Sequence, residues 1–241
     1  MDFDAPSGTG SGHSESRIIV TTDNMTEEQK AASIERGRLL FASRAEFMLG
    51  VVALAHLPPA DMVEVSFAGR SNVGKSSLLN ALTGQNGLAR TSNTPGRTQE
   101  VNFFTLGTKG KDGLYLSDLP GYGYAKVSRS LVKEWTKLLK SYLRGRPNLR
   151  RAFVLVDSRH GLKDSDGEIM DMMDECAVSY QIVLTKIDKI KKPAQEQILQ
   201  KTQAAISKRV AAHPDVILTS SEKGDGIAEL RAVVADLVYG D

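Results

Sequence analysis

Residues 69–77 read Gly69-Arg70-Ser71-Asn72-Val73-Gly74-Lys75-Ser76-Ser77, and no other stretch of the chain restricts its fold as much. They fit the phosphate-loop pattern G-x-x-x-x-G-K-[ST]. The alternation Val63-Glu64-Val65-Ser66-Phe67-Ala68 just before them predicts a strand, and Ser77-Leu78-Leu79-Asn80-Ala81-Leu82 just after predicts a helix. Strand, glycine-rich turn and helix are the context that the pattern needs. The two glycines let the backbone turn with its N–H groups inward, so that a ring of donors and a helix N-terminus face a polyphosphate. Lys75 adds a point charge for the outer phosphates, and the Ser76 hydroxyl suits a magnesium ion bridging them.

Beyond this loop the chain alternates. Strands are predicted at 100–106, 114–118, 152–157, 181–185 and 216–219, and helices at 129–144, 165–176, 193–212 and 226–239. Such alternation predicts an α/β fold whose mostly parallel sheet is covered on both faces. With the strand before the loop, the sheet has six strands. Around Thr108-Lys109-Gly110-Lys111-Asp112-Gly113 no helix intervenes, so that link reads as a hairpin and one strand as antiparallel.

Upstream, residues 1–24 are rich in Gly, Ser, Thr and Asp and read as a disordered tail. Thr26-Glu27-Glu28-Gln29 looks like a helix start. Helices are predicted to about residue 43 and again over 45–56, closed by Leu57-Pro58-Pro59. The expected organisation is a tail at 1–24, a helical extension at 25–60 and one nucleotide-binding domain at 61–241.

Composition bounds the setting. Hydrophobic residues at 41% and charged residues at 25% suit a soluble globular protein. A single cysteine, Cys176, cannot form an internal disulfide, so a cytosolic setting is expected. The longest apolar run, 47–57, is about half of the ~20 residues of a membrane span, and the N-terminus lacks the order of a signal peptide.

Three further strand ends carry chemistry. Asp118-Leu119-Pro120-Gly121 lies where open α/β sheets bind ligands: the carboxylate can reach magnesium through water, and the Gly121 N–H can reach a terminal phosphate. Thr185-Lys186-Ile187-Asp188 discriminates between bases. A carboxylate in the base plane accepts two hydrogen bonds from guanine, whereas adenine offers neither donor and would leave Asp188 unpaired, at a cost of about 1–3 kcal/mol. The Lys186 stem can lie along the base, and Thr219-Ser220-Ser221 offers backbone N–H groups toward the guanine carbonyl. The polar stretch Thr91-Ser92-Asn93-Thr94-Pro95-Gly96-Arg97-Thr98-Gln99-Glu100 suits a segment ordered by a bound terminal phosphate, with Thr98, then Thr94, as a further magnesium ligand. Each motif is weak alone. Three strand-end motifs in fixed order after a phosphate loop are not.

Together these segments resemble the five guanine-nucleotide motifs of the Ras-like translation-factor GTPases. FAGRSNVGKSSLLNAL, ARTSNTPGRTQEVNFF, LSDLPGYGYAKV and LTKIDK, in that order and spacing, are similar to the EngB family (also called YihA or YsxC) of bacterial ribosome-biogenesis GTPases. The likeness covers about residue 47 to the C-terminus. It implies one GTPase domain hydrolysing GTP to GDP and phosphate with magnesium; a cytoplasmic monomer is expected. It also implies a role in assembling the large ribosomal subunit and a requirement in division and septation. Thr185 stands where N-K-x-D has Asn, as in the EngB family itself. Tyr122 stands where Ras-like enzymes place the glutamine that orients the attacking water, and a phenol cannot take that pose. Intrinsic hydrolysis is therefore expected to be slow, ~10⁻⁴ to 10⁻³ per second. Asn72 resembles the asparagine of GTPases that use a potassium ion in place of an arginine finger; a group supplied by a partner is the rival expectation. The implied catalytic residues are Lys75, Asn72 and Gly121.

A second feature is a basic helix. Lys133, Lys137, Lys140 and Arg144 share one helical face, opposite Leu131, Trp135, Leu138 and Tyr142. Lys126, Arg129, Arg146, Arg150 and Arg151 extend the positive zone, and Glu134 is the only acid from 126 to 151. Read functionally, the stripe contacts RNA phosphates, with Tyr122, Tyr124 and Trp135 as possible stacking groups, although Trp135 fits the core better. Read plainly, it is a solvated surface. The competing functions are a division scaffold whose partner is protein, and a metabolic phosphate-loop kinase, for which the guanine motif would have no use. Arg159 and His160 fall near the base pocket, and Cys176 reads as packing.

Overall fold

The computed structural model describes residues 25–89, 100–107, 113–123 and 129–240, with the side chains of 129–133 outside the description. In order these form α1 (Glu27–Leu40), β1 (Glu46–Val51), β2 (Val63–Gly69), α2 (Lys75–Thr83), β3 (Val101–Leu106), β4 (Leu114–Asp118) and α3 (Arg129–Gly145). Then follow β5 (Leu149–Asp157), α4 (Asp164–Glu175), β6 (Tyr180–Thr185), α5 (Lys192–Ile206), β7 (Ile217–Leu218) and α6 (Ile227–Tyr239). The expected tail at 1–24 and most of the 108–113 link lie outside the described residues.

One sheet runs β1-β3-β4-β2-β5-β6-β7. Strand β3 is antiparallel to β1 and to β4, and the other neighbouring pairs are parallel, so a single strand runs against the rest. That is the expected arrangement, with one strand more. Residues 46–51 are not helical as predicted; they pair with β3 as an edge strand, and only Leu54–His56 makes a 3-10 turn. The run Phe47-Met48-Leu49-Gly50-Val51-Val52 is apolar without alternation, which cannot by itself separate a short strand from a buried helix. A bulge between Phe47 and Leu49 and the exposure of Phe47 and Met48 show why no alternation survives there.

Helix α1 starts where the acidic turn predicts. Thr26 and Gln29 close a reciprocal capping box at 3.2 and 2.8 Å. Helix α5 stops at Ile206, short of the predicted 212, because the chain beyond it becomes extended: the Tyr180 N–H donates to Ala211 O and the His213 N–H to Tyr180 O.

The sheet separates two apolar layers. One is filled by Leu139, Tyr142 and Leu143 of α3, Ile169, Met170, Met172 and Met173 of α4, and Leu199 and Ile206 of α5. The other is filled by Leu40 of α1, Leu78, Leu79 and Leu82 of α2, and Leu230 and Val234 of α6. On the first side Glu64 is fully buried and is met by Arg146, by the Tyr142 hydroxyl and by Asn148. A buried carboxylate needs such partners, and this set fastens the end of α3 to the start of β2.

Two readings of the basic helix change as a result. Arg146 is buried on Glu64, and Arg151 is half-buried with its guanidinium on Gln181, so neither extends the surface charge. The buried stripe of α3 passes through Leu139 and Leu143 rather than Leu138, while Trp135 packs against the core as expected.

Candidate nucleotide-binding site

Because β2, β4, β5, β6 and β7 run parallel, their C-terminal ends open on one edge of the sheet and bring five loops together. The phosphate loop leaves β2. Asn72 and Gly74 hold left-handed backbone, φ 64° and 105°, which Asn tolerates and Gly adopts freely. A side chain at Gly69 would press on Val73 at 2.7 Å. Helix α2 begins at Lys75 with no side-chain cap, so its first N–H groups remain directed at the space that the loop encloses. These features fit a polyphosphate. Lys75 forms an ion pair with Asp118, whose carboxylate and the Ser76 hydroxyl are the hard oxygen donors that magnesium prefers.

The base-reading end is tied to this loop. The buried Thr185 hydroxyl donates to Val73 O at 2.7 Å, and Lys186, at φ 58°, donates to Asn72 O at 2.6 Å. Ile187 is buried and its N–H donates to Thr219 O. The Ser220 hydroxyl donates to Asp188 Oδ1 at 2.6 Å, and Lys189 stands 3.0 Å from Oδ2. Ser220, offset by burial and joined by Lys189, holds the Asp188 carboxyl below the usual range, so it is an acceptor at neutral pH. The N–H groups of Thr219 and Ser220 donate to Leu184 O and Asp225 O; among these three residues and the described partners, that leaves the Ser221 N–H for a base.

Asp157 was missed by the sequence reading. It ends β5, the strand between the phosphate-loop strand and the base-reading strand, and its carboxylate receives Lys186 at 2.9 Å and Arg159 at 2.9 and 2.7 Å. Burial pushes its pKa up, but the bonds from Arg159 and Lys186 outweigh that and hold it well below the carboxylate range. The available signal was its place at a strand end. Arg159 lies beside the pocket clamped on Asp157, and His160 is exposed.

Other expected residues fall differently. The Arg70 side chain turns away from the loop interior to Asp166 and Gly161 O. Tyr122 is buried, with its hydroxyl donating to Asp166 at 2.9 Å, so it offers no face for base stacking. Glu100 is exposed at the foot of β3 beside Gly50. Thr94, Gly96, Arg97, Thr98, Gln99, Tyr124 and Lys126 lie outside the described residues. Leu119 is buried and holds Phe67 O through its N–H, leaving Pro120 and Gly121 to bulge toward the loop.

A phosphate loop, a magnesium-suited Ser and Asp pair and a carboxylate held as an acceptor at the next strand end but one, on the carboxyl edge of one α/β sheet, define a P-loop GTPase. The sequence pattern of the 50S ribosome-binding GTPase family matches residues 64–186. The chain is 60% identical over 213 residues to the probable GTP-binding protein EngB of Ruegeria sp. (strain TM1040), covering 88% of this chain and 97% of that protein. It is 62% identical over 206 residues to that of Hyphomonas neptunium, covering 85% and 93%. The chain belongs to the EngB family of GTP-binding proteins. Among solved structures, a probable GTP-binding protein engB superposes with a TM-score of 0.58 at 20% identity, over 74% of this chain and all of that one. Era of Aquifex aeolicus bound to GDP and aluminium fluoride superposes at 0.56 and 20% identity, over 73% of this chain and 57% of that one. Both share the fold. No helix among the described residues is long and apolar enough to cross a membrane.

Proposed function

We propose that this GTPase acts in assembly of the large ribosomal subunit, engaging it in the GTP state through helix α3, and that normal division and septation depend on that role. The observation that carries the reading is position. Helix α3 follows the Gly121 segment in the chain and turns Lys137 and Arg144 to solvent, with Arg150 exposed just beyond. Lys133 belongs to the same expected face, and Lys140 contributes less because it pairs with Glu175 at 2.6 Å. Contacts of this kind are to phosphates and carry little base preference.

In this reading Lys75 and the loop amides that have no bond within the protein would hold the phosphates, and Ser76 and Thr98 would hold magnesium, which neutralises charge on the terminal phosphates when bound. Gly121 reports the terminal phosphate, and Asp188 reads guanine. With the Tyr122 phenol buried on Asp166, position 122 does not orient the attacking water, so hydrolysis is slow until another group completes the site. Potassium near Asn72 is the proposed group. Equal turnover in sodium and in potassium, with and without ribosomal particles, would transfer that role to a partner residue.

The test is sedimentation with large ribosomal subunits, with a non-hydrolysable GTP analogue, with GDP or without nucleotide, across a salt series. Pelleting that requires the triphosphate, weakens steeply with salt and is lost on charge reversal at Lys133, Lys137 and Lys140 supports the proposal. The burial of Arg146 and Arg151 favours the second reading, a division scaffold with a protein partner. Under that reading the reversal leaves association intact.

A further inference from the structure

Tyr122 and Asp166 meet where neither the nucleotide motifs nor the core requires a contact. Asp166 lies in the first turn of α4 and is fully buried. Its carboxylate accepts from the Tyr122 hydroxyl at 2.9 Å, from Arg70 Nε at 3.2 Å and from the Lys163 N–H at 2.9 Å. One carboxylate thus joins the phosphate loop, the residue after Gly121 and the start of α4. Burial, and next the Asp166 charge, push the phenol well above its ordinary pKa, so Tyr122 is the donor and Asp166 the acceptor.

The backbone around Tyr122 shows what the contact holds. The Leu119 N–H donates to Phe67 O at 2.9 Å, continuing the β2–β4 ladder, after which Pro120 and Gly121 leave it. The chain rejoins at Tyr122, whose N–H donates to Gly69 O at 3.3 Å and whose carbonyl accepts from the Ser71 N–H at 3.2 Å. Both bonds are at the long end of the normal range and weak on their own. Gly121 faces the loop so closely that a Cβ there would stand 3.0 Å from Ser71 Oγ. Its orientation therefore depends on how firmly Tyr122 is seated, and the charge-assisted bond to Asp166 is the strong one of the three.

We infer that Tyr122 and Asp166 are positioning residues: their hydrogen bond fixes Gly121 against the phosphate loop and so sets the preference of the site for a triphosphate over a diphosphate. A diphosphate uses Lys75, the first N–H groups of α2 and Asp188, none of which the Tyr122 phenol touches. The inference rests on the reading above that a terminal phosphate, and not a diphosphate, reaches Gly121. Arg70 keeps its own bond to Asp166 when the phenol is removed, so the loop itself is left in place.

The experiment is Tyr122→Phe in the full chain, with equilibrium affinities for GDP and for a non-hydrolysable GTP analogue measured with magnesium. The ring, and with it the packing, is retained. The expected result is a loss of about tenfold for the triphosphate analogue with GDP affinity unchanged. A merely structural bond would lower thermal stability and leave the ratio of the two affinities untouched, and an unchanged ratio overturns the inference. Asp166→Asn and the double variant form a second check. If the two groups act as a unit, the double variant shows the same ratio as Tyr122→Phe alone; additive losses count against it. Should Asp166→Asn fail to fold, the Tyr122→Phe ratio decides by itself.

Discussion

Thr185 donates its buried hydroxyl to the Val73 carbonyl at 2.7 Å, joining the base-reading loop to the phosphate loop across the end of β5. In the commoner N-K-x-D motif an amide stands at this position. A hydroxyl suffices here because one donor is needed, and the chain supplies the other links through Lys186 and Asp157. The two halves of the candidate site are therefore one hydrogen-bonded unit.

Thr185→Val keeps the volume and leaves the Val73 carbonyl without this donor. Affinity for GDP and for GTP analogues is expected to fall together, by about 1–2 kcal/mol, and Thr185→Ser to recover most of it. Titration with a fluorescent nucleotide decides; a loss confined to one nucleotide contradicts the link.

Asp188→Asn replaces an acceptor by an amide whose N–H meets the N–H of guanine. Guanine nucleotide binding is expected to weaken by about 3 kcal/mol or more, and xanthosine nucleotides, which carry a carbonyl where guanine has its amine, to bind better than guanosine ones. Competition between GDP and XDP reads this directly. An unchanged order would remove Asp188 from the base contact.

Arg146→Met leaves the buried Glu64 carboxyl without its cation. Stability is expected to drop by about 3–5 kcal/mol in urea unfolding, while the double variant Glu64→Gln with Arg146→Met recovers a substantial part. If the single and double variants were equally unstable, the loss would belong to the packing of Arg146 over Phe103, 5.8 Å from its ring centroid, and not to the charge.

His213 gives a pH dependence with a fixed sign. Burial, and next the Arg151 charge, push it down to about 4 from 6.5. Asp215 Oδ2 lies 3.6 Å from Nδ1, but that nitrogen accepts the Asp215 N–H at 3.3 Å, so the neutral ring is the one that fits. The unfolded chain takes up its proton near 6.5 and the folded chain near 4. Stability from this group is therefore complete above about 6.5 and is lost as the pH falls toward 4, by about 3 kcal/mol in all, of which about 2 kcal/mol is gone by about pH 5. Unfolding free energies of the parent and His213→Gln, taken at about pH 7 and about pH 5, should converge at the lower value. Parallel curves would show that the imidazole does not matter.

The parts of the site that follow a spacing rule were legible in the sequence: the loop at 69–76, Asp118 to Gly121 and Thr185 to Asp188 all stand at the expected strand ends. So was the lone antiparallel strand, because a short polar link between β3 and β4 admits nothing else. What escaped notice has no local period. Residues 46–51 look alike as strand or helix until β3 is present to pair with them. Arg146 and Arg151 read as surface because their partners, Glu64 and Gln181, are brought to them by the sheet from 82 and 30 residues away. Asp157 and Asp166 are ordinary acids in one dimension and become junctions only when three loops converge.

The contact between α1 and α6 sets the order in which this protein can be completed. At Gly37 the two backbones approach so closely that a methyl group would stand 2.6 Å from the Ala232 nitrogen. Ser33 and Arg36 both reach Asp236, two hundred or more positions further along. During synthesis α1 emerges about two hundred residues ahead of its seat, which is unbuilt until α6 has left the ribosome. A messenger cut short before α6 therefore yields a chain in which α1 has nowhere to dock.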